Sequence, residues 1–189
     1  MKRCVQFGLI AATAFAALFT SSEAMAQAMQ GHGSKMGMHQ HDEVNMPGLR
    51  GENASPEESS DLAVMFRNFD TIMREVENLP NGIRTVTWSS DPNVMEALVR
   101  HAVGMIDRVA QKDDPKIFIQ SPTLKAFFMQ GDEIKNEIEV TDKGLVVIQT
   151  SNNQALVTAL HVHAAEVSDM ADRGMAAVHD MMMKQRRGH

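Results

Sequence analysis

The 189-residue chain is poor in the residues that most often build a site: one cysteine, one tryptophan and no tyrosine. The cysteine, Cys4, sits in the first few residues, inside what reads as a leader, so the exported chain has no thiol. Disulfide, zinc–thiolate, iron–sulfur and Cys-linked haem chemistry are excluded together. After the leader there is no apolar run long enough to cross a bilayer. Positive charge is also scarce: 18 Lys and Arg stand against 24 Asp and Glu, a formal net charge of −6. That balance excludes nucleic acid as a partner, because binding it needs a basic face. There is no P-loop, no Gly-x-Ser-x-Gly elbow and no His-Glu-x-x-His, so the chain is not expected to be an enzyme.

What is present begins with a secretory signal over residues 1–28. Lys2 and Arg3 form its charged start, Gly8 to Phe19 its apolar run, and Ala24-Met25-Ala26 or Ala26-Gln27-Ala28 its cleavage site. The expected location is the periplasm. Loss of Lys2, Arg3 and Glu23 with the leader takes the net charge to about −7. All eight histidines and all but two of the 16 methionines remain. With thiols gone, imidazole, thioether and carboxylate are the available metal ligands. Residues 29–58 show no apolar period and read as a disordered arm. Its His32, Met36, Met38, His39, His41 and Met46 suit a low-affinity collector of copper ions. Residues 184–189 form a basic, solvated tail.

The chain also matches part of itself. Residues 70–109 against 132–171 share Asp70/Asp132, Ile72/Ile134, Glu75/Glu137, Glu77/Glu139, Gly82/Gly144, Ser89/Ser151, Ala97/Ala159, Leu98/Leu160, His101/His163, Ala102/Ala164 and Asp107/Asp169 without a gap. This argues for duplication. Residues 59–183 are therefore expected to form one domain of two units, 62–112 and 123–183.

In the first unit a cap at Ser59 or Ser60 and apolar residues at three- and four-residue steps from Leu62 to Leu79 predict a helix, stopped by Pro80-Asn81-Gly82. Ile83 to Trp88 predicts a strand, and Asp91-Pro92 opens a helix running to about Gln111. In the second unit the spacing predicts a helix from about Thr123 to Val140, a strand from Leu145 to Thr150 and a last helix from about Asn153. The predicted class is α+β and mostly helical: two helix–strand–helix units about a pseudo-twofold axis, their strands paired as a two-stranded antiparallel sheet.

Leu79-Pro80-Asn81-Gly82, Asp91-Pro92, His101 and the Gly174-Met175 to His179 tail resemble a family of small exported bacterial proteins with this duplicated unit, over roughly residues 62–183. The resemblance implies the architecture and no activity. It also implies a further histidine in the first helix, where this chain has Asn68-Phe69, so no ligand is expected from there.

The buried stripe of the helix after Pro92 is expected to be Val94, Ala97, Leu98, His101, Ala102, Met105 and Val109. The matching stripe is Leu156, Ala159, Leu160, His163, Ala164 and Val167. Each inward histidine, taken alone, is more readily a core residue satisfied by a backbone carbonyl or a nearby glutamate. Their repetition points to a shared site. His161 is expected to be a solvated surface residue. Met175, His179 and Met183 stack at steps of four on the last helix, beyond a bend or break at Gly174.

The first reading is a copper protein that buffers, carries or delivers the ion through His101, Met105 and His163, with Met175 and His179 completing the set. The second is a non-covalent haem held by the same histidines. The third is a cofactor-free module that contacts a periplasmic or membrane protein through its helices. Paired carboxylates at Glu75/Glu137 and Glu77/Glu139 are expected to line solvated helix faces or to anchor histidines.

Overall fold

A computed structural model describes residues 46–187 of the chain. The predicted leader, the arm as far as residue 45 and the last two residues lie outside the described residues. Over the described residues the fold is α+β: five α-helices and one four-stranded antiparallel sheet in the order β1-β2-β4-β3. Among the described residues no helix is long and apolar enough to cross a membrane.

Helix α1 covers Pro56–Arg67. Its cap is Ser55, whose hydroxyl accepts from the Glu58 amide at 3.1 Å while the Glu58 carboxylate accepts from the Ser55 amide at 2.7 Å. This reciprocal box satisfies two amides that the first turn leaves free. Order therefore begins well before the expected cap at Ser59 or Ser60. The arm expected to run to residue 58 is folded in its last stretch, where Met46 and Leu49 are buried against Ala63, Leu62, Phe66 and Ile119. Gly51 makes a β-bridge to Ile117.

The larger correction concerns the two first helices. Neither continues to Leu79 or Val140. Helix α1 ends at Arg67, and a 3-10 turn over Phe69–Thr71 leads into strand β1, Ile72–Leu79. Likewise α3 spans only Leu124–Met129, and a 3-10 turn over Gly131–Glu133 leads into β3, Lys135–Thr141. The expected strands are present as β2, Gly82–Ser89, and β4, Gly144–Thr150. They do pair with each other, from Gly82 opposite Thr150 to Thr87 opposite Leu145, but each also pairs on its other edge, so the sheet has four strands and not two. Leu79 sits opposite Gly82 and Thr141 opposite Gly144, so two-residue turns close both hairpins. A buried central strand must satisfy backbone groups on both sides, and that need overrides the helical spacing of 72–79 and 135–140.

Helices α2, Pro92–Gln111, and α4, Gln154–Arg173, match expectation at both starts. Asp91 accepts from the Asn93 amide at 2.8 Å and Asn153 from the Ala155 amide at 3.0 Å. Helix α4 ends at Gly174, with φ 56° and ψ −135°, and α5 then runs over Met175–Arg187. No L side chain adopts that conformation easily, and an added Cβ would lie 2.7 Å from the Phe69 ring.

The main core joins Ile83 to Leu156, Leu160 and Ala164 of α4, Val109 of α2, Phe127 and Phe128 of α3, and Ile134. Ile83, Thr85, Thr87, Leu145 and Val147 form the covered face of the sheet, and all are buried. Helix α1 is clamped to α2 by two arginines. The Arg100 guanidinium donates to both oxygens of Asp61 at 3.1 and 2.7 Å. The Arg108 guanidinium donates to both oxygens of Glu58 at 2.5 and 2.9 Å, and also to Asp113 at 2.6 Å and the Asn53 carbonyl at 2.9 Å. Such two-pronged pairs fix geometry as well as charge.

Several element bounds and the hairpin pairing recur at one interval, although β1 and β3 start one residue out of step, β2 and β4 end one residue out of step, and α1 is longer than α3. The offset from the 3-10 turn Phe69–Thr71 to the turn Gly131–Glu133 is the same as that from Pro92–Gln111 to Gln154–Arg173. The two hairpins share one register at that spacing, and where β2 meets β4, Thr85 stands opposite Val147, its own counterpart.

Candidate metal centre at the paired histidines

His101 lies on the third turn of α2 and His163 on the third turn of α4, so equal offsets from two helix caps set both rings. Each helix turns its apolar stripe inward: Val94, Ala97 and Val109 are buried on α2, and Leu156, Leu160 and Ala164 on α4. The histidines ride in those stripes. In both, Nδ1 is buried and makes no hydrogen bond. A buried polar atom without a partner is costly and uncommon, and here it occurs at both members of a sequence-matched pair.

The two rings stand near enough to influence each other's charge. Burial pushes the His101 pKa down from 6.5 to about 4; Asp61 and Glu58 on α1 oppose the shift and His163 adds to it. His101 is thus a neutral imidazole at neutral pH, the form that donates a lone pair to a metal. The ring of His163 packs edge-on against Phe127, with centroids 5.5 Å apart.

Beside His163 stands a residue that the sequence reading did not single out. Glu166 accepts hydrogen bonds through Oε1 from the hydroxyls of Ser121, at 2.8 Å, and Thr123, at 3.2 Å. Its other oxygen, Oε2, is buried without a hydrogen bond and lies 3.8 Å from His163 Nδ1. That distance is an ion-pair contact, longer than a hydrogen bond. Burial works to raise the Glu166 pKa, but His163 and the two hydroxyls outweigh it and hold the carboxyl below its usual value. The signal was available: Glu166 follows His163 by three, a spacing that shares a helix face.

Met105 is half-buried one turn beyond His101, and Met175 is half-buried at the start of α5. His179 is exposed, with Nδ1 3.9 Å from Asp180 Oδ1. His161 is not the solvated residue expected. Its Nε2 lies 2.8 Å from the Gly82 carbonyl and 3.1 Å from the Leu79 carbonyl, binding α4 to the β1–β2 hairpin. Glu75, Glu77, Glu137 and Glu139 are exposed, but on the edge strands β1 and β3 and not on helices. Among the described residues no three His, Cys, Asp or Glu side chains are grouped to hold a metal ion. A metal site here would draw on two imidazoles and would have to add a thioether or a ligand from outside the described residues.

No protein-family model, curated protein or solved structure matches the chain.

Proposed function

We propose that this is an exported, periplasmic metal-binding protein that takes up copper through the imidazoles of His101 and His163. The observation that carries the reading is the pair of buried Nδ1 atoms without a hydrogen bond on two histidines that occupy matching positions in the sequence. A structural histidine is normally bonded to a carbonyl, as His161 is, so the contrast within α4 itself favours a ligand role for its neighbour. Glu166, whose Oε2 lies 3.8 Å from the same His163 Nδ1, would set negative charge beside a bound cation. Met105 supplies the nearest soft donor on the same face as His101. Thioether and imidazole without thiolate suit Cu(I), which tolerates few ligands, better than zinc or a hard divalent ion. Met175 and His179 are retained as completing ligands contributed by α5.

The same reading takes the domain as a duplication, two units about a pseudo-twofold axis through the Thr85–Val147 pair. The shared hairpin register and the equal interval between the two 3-10 turns and between α2 and α4 support it. Duplication accounts for two histidines in one setting.

The test is titration of the exported chain with Cu(I) against a competing chelator. Stoichiometric uptake that disappears in the His101→Ala/His163→Ala variant is the expected result. Equal affinity in wild type and variant rules out the interior pair, and a Soret band on haem addition with no Cu(I) uptake would replace copper by haem.

A further inference from the structure

The two edges of the sheet carry one short pattern: Glu75-Val76-Glu77 on β1, and Glu137-Ile138-Glu139-Val140 on β3. The register places the glutamates on the face away from the helix-covered core. There Glu75, Val86, Val146 and Glu139 lie side by side across all four strands, and Glu77, Arg84, Ile148 and Glu137 form the next row. The edge aliphatics point to the other face, yet they reach past the helices that cover its centre: Val76 is 39%, Ile138 38% and Val140 62% exposed. Among the described residues nothing pairs with the outer side of either edge strand. An edge of this kind offers backbone donors and acceptors together with alternating acidic and apolar side chains.

We propose that β3 is a docking edge for an extended segment of a partner protein in which basic and apolar residues alternate, joining the sheet as a further strand. Backbone pairing supplies the attachment, and alternation supplies the selection: basic residues opposite Glu137 and Glu139 on one face, apolar residues opposite Ile138 and Val140 on the other. A second copy of this chain fits poorly. Pairing β3 with another β3, or with β1, in the registers that align their glutamate runs sets glutamate beside glutamate on one face, where Lys135 is the one basic residue to offset them, and like charges across a strand pair repel. A helix fits poorly too, because it cannot bond to the outward N–H and C=O groups of the strand. Strand β1 is the weaker edge, since Asn78 stands where β3 has Val140. This inference does not depend on metal binding.

Charged edges also occur simply to prevent sheets from joining, and the experiment separates that role from docking. The probes for the exported chain are an eight-residue peptide alternating lysine and valine, a block isomer of the same composition, and an alternating glutamate–valine peptide. The alternating lysine peptide is expected to bind and to slow amide hydrogen exchange along β3. Affinity should fall roughly tenfold in Glu137→Gln/Glu139→Gln, the scale of two lost cross-strand charge pairs. Val140→Ser, at a site too exposed to threaten folding, should also weaken binding, and the glutamate peptide should not bind. Equal binding of the block isomer would reduce the effect to general attraction and overturn the proposal. So would a glutamine variant that keeps its peptide affinity while sedimenting as larger species, or wild-type protein whose β3 amides are protected by self-association.

Discussion

Helices α2 and α4 are each 20 residues long, start on a side-chain cap after a central strand, and carry a histidine at the same offset, yet they support it differently. On α4, His163 has a carboxylate one turn away, pinned by two hydroxyls, and the helix is tied to the sheet by His161. On α2 the position one turn beyond His101 is Gly104, and the acidic groups nearby, Asp61 and Glu58, belong to α1 and are engaged by Arg100 and Arg108. One imidazole thus has a carboxylate of its own within ion-pair distance and the other is held neutral by burial. A pair built this way has one ring beside an anion and one poised ring.

The largest expected effect tests the poised ring. In the metal-free protein the folded state keeps His101 neutral until its pKa of about 4, whereas the unfolded chain protonates near 6.5. The unfolded state therefore gains the proton first. Stability is full above pH 6.5 and falls as the pH drops to 4, by at most about 3 kcal/mol. Denaturant melts across that range should show the loss, and His101→Leu should flatten it. Glu58, whose pKa is held down by Arg108 against the effect of burial, adds a separate loss below its ordinary value of 4.5.

Arg108→Ala attacks the clamp on the α2 side alone. It leaves Glu58, with its side chain only 21% exposed, without its partner, and should cost about 2 kcal/mol in a denaturant melt. Glu166→Gln acts on the other ring: it should leave stability nearly unchanged and weaken Cu(I) binding about tenfold in the chelator competition. A drop in melting temperature with no change in affinity would make Glu166 structural. The smallest effect is His161→Leu, which removes the bond to the hairpin carbonyls and should cost about 1 kcal/mol, measured the same way.

The parts of this fold that are legible from residues are those where a local signal and the tertiary demand agree. Asp91-Pro92 and Asn153 start helices wherever they are placed, and the branched runs of β2 and β4 suit the middle of a sheet. Residues 72–79 mislead because Ile72, Met73, Val76 and Leu79 satisfy a helical period while the same stretch also alternates as a strand. The Pro80-Asn81 turn, two residues between paired ends, is the hairpin signal that decides it. Order from Met46 is hidden because Leu49 is a lone apolar residue whose partners, Phe66 and Ile119, are far away in sequence. At the candidate site, inward histidines follow from periodicity. Glu166 does not, since its importance rests on Ser121 and Thr123, which reach it from another element.

The β2–β4 pairing has a consequence for how the chain reaches its structure. Each hairpin closes over a tight turn and can form within microseconds, but the seam between them joins Thr85 to Val147, with helices α2 and α3 and a second hairpin arm in the chain between. Closing so long a loop is an entropic barrier that neither hairpin relieves. The two halves therefore meet late, and substitutions along that seam should slow refolding, while those confined to the outer strands should chiefly speed unfolding.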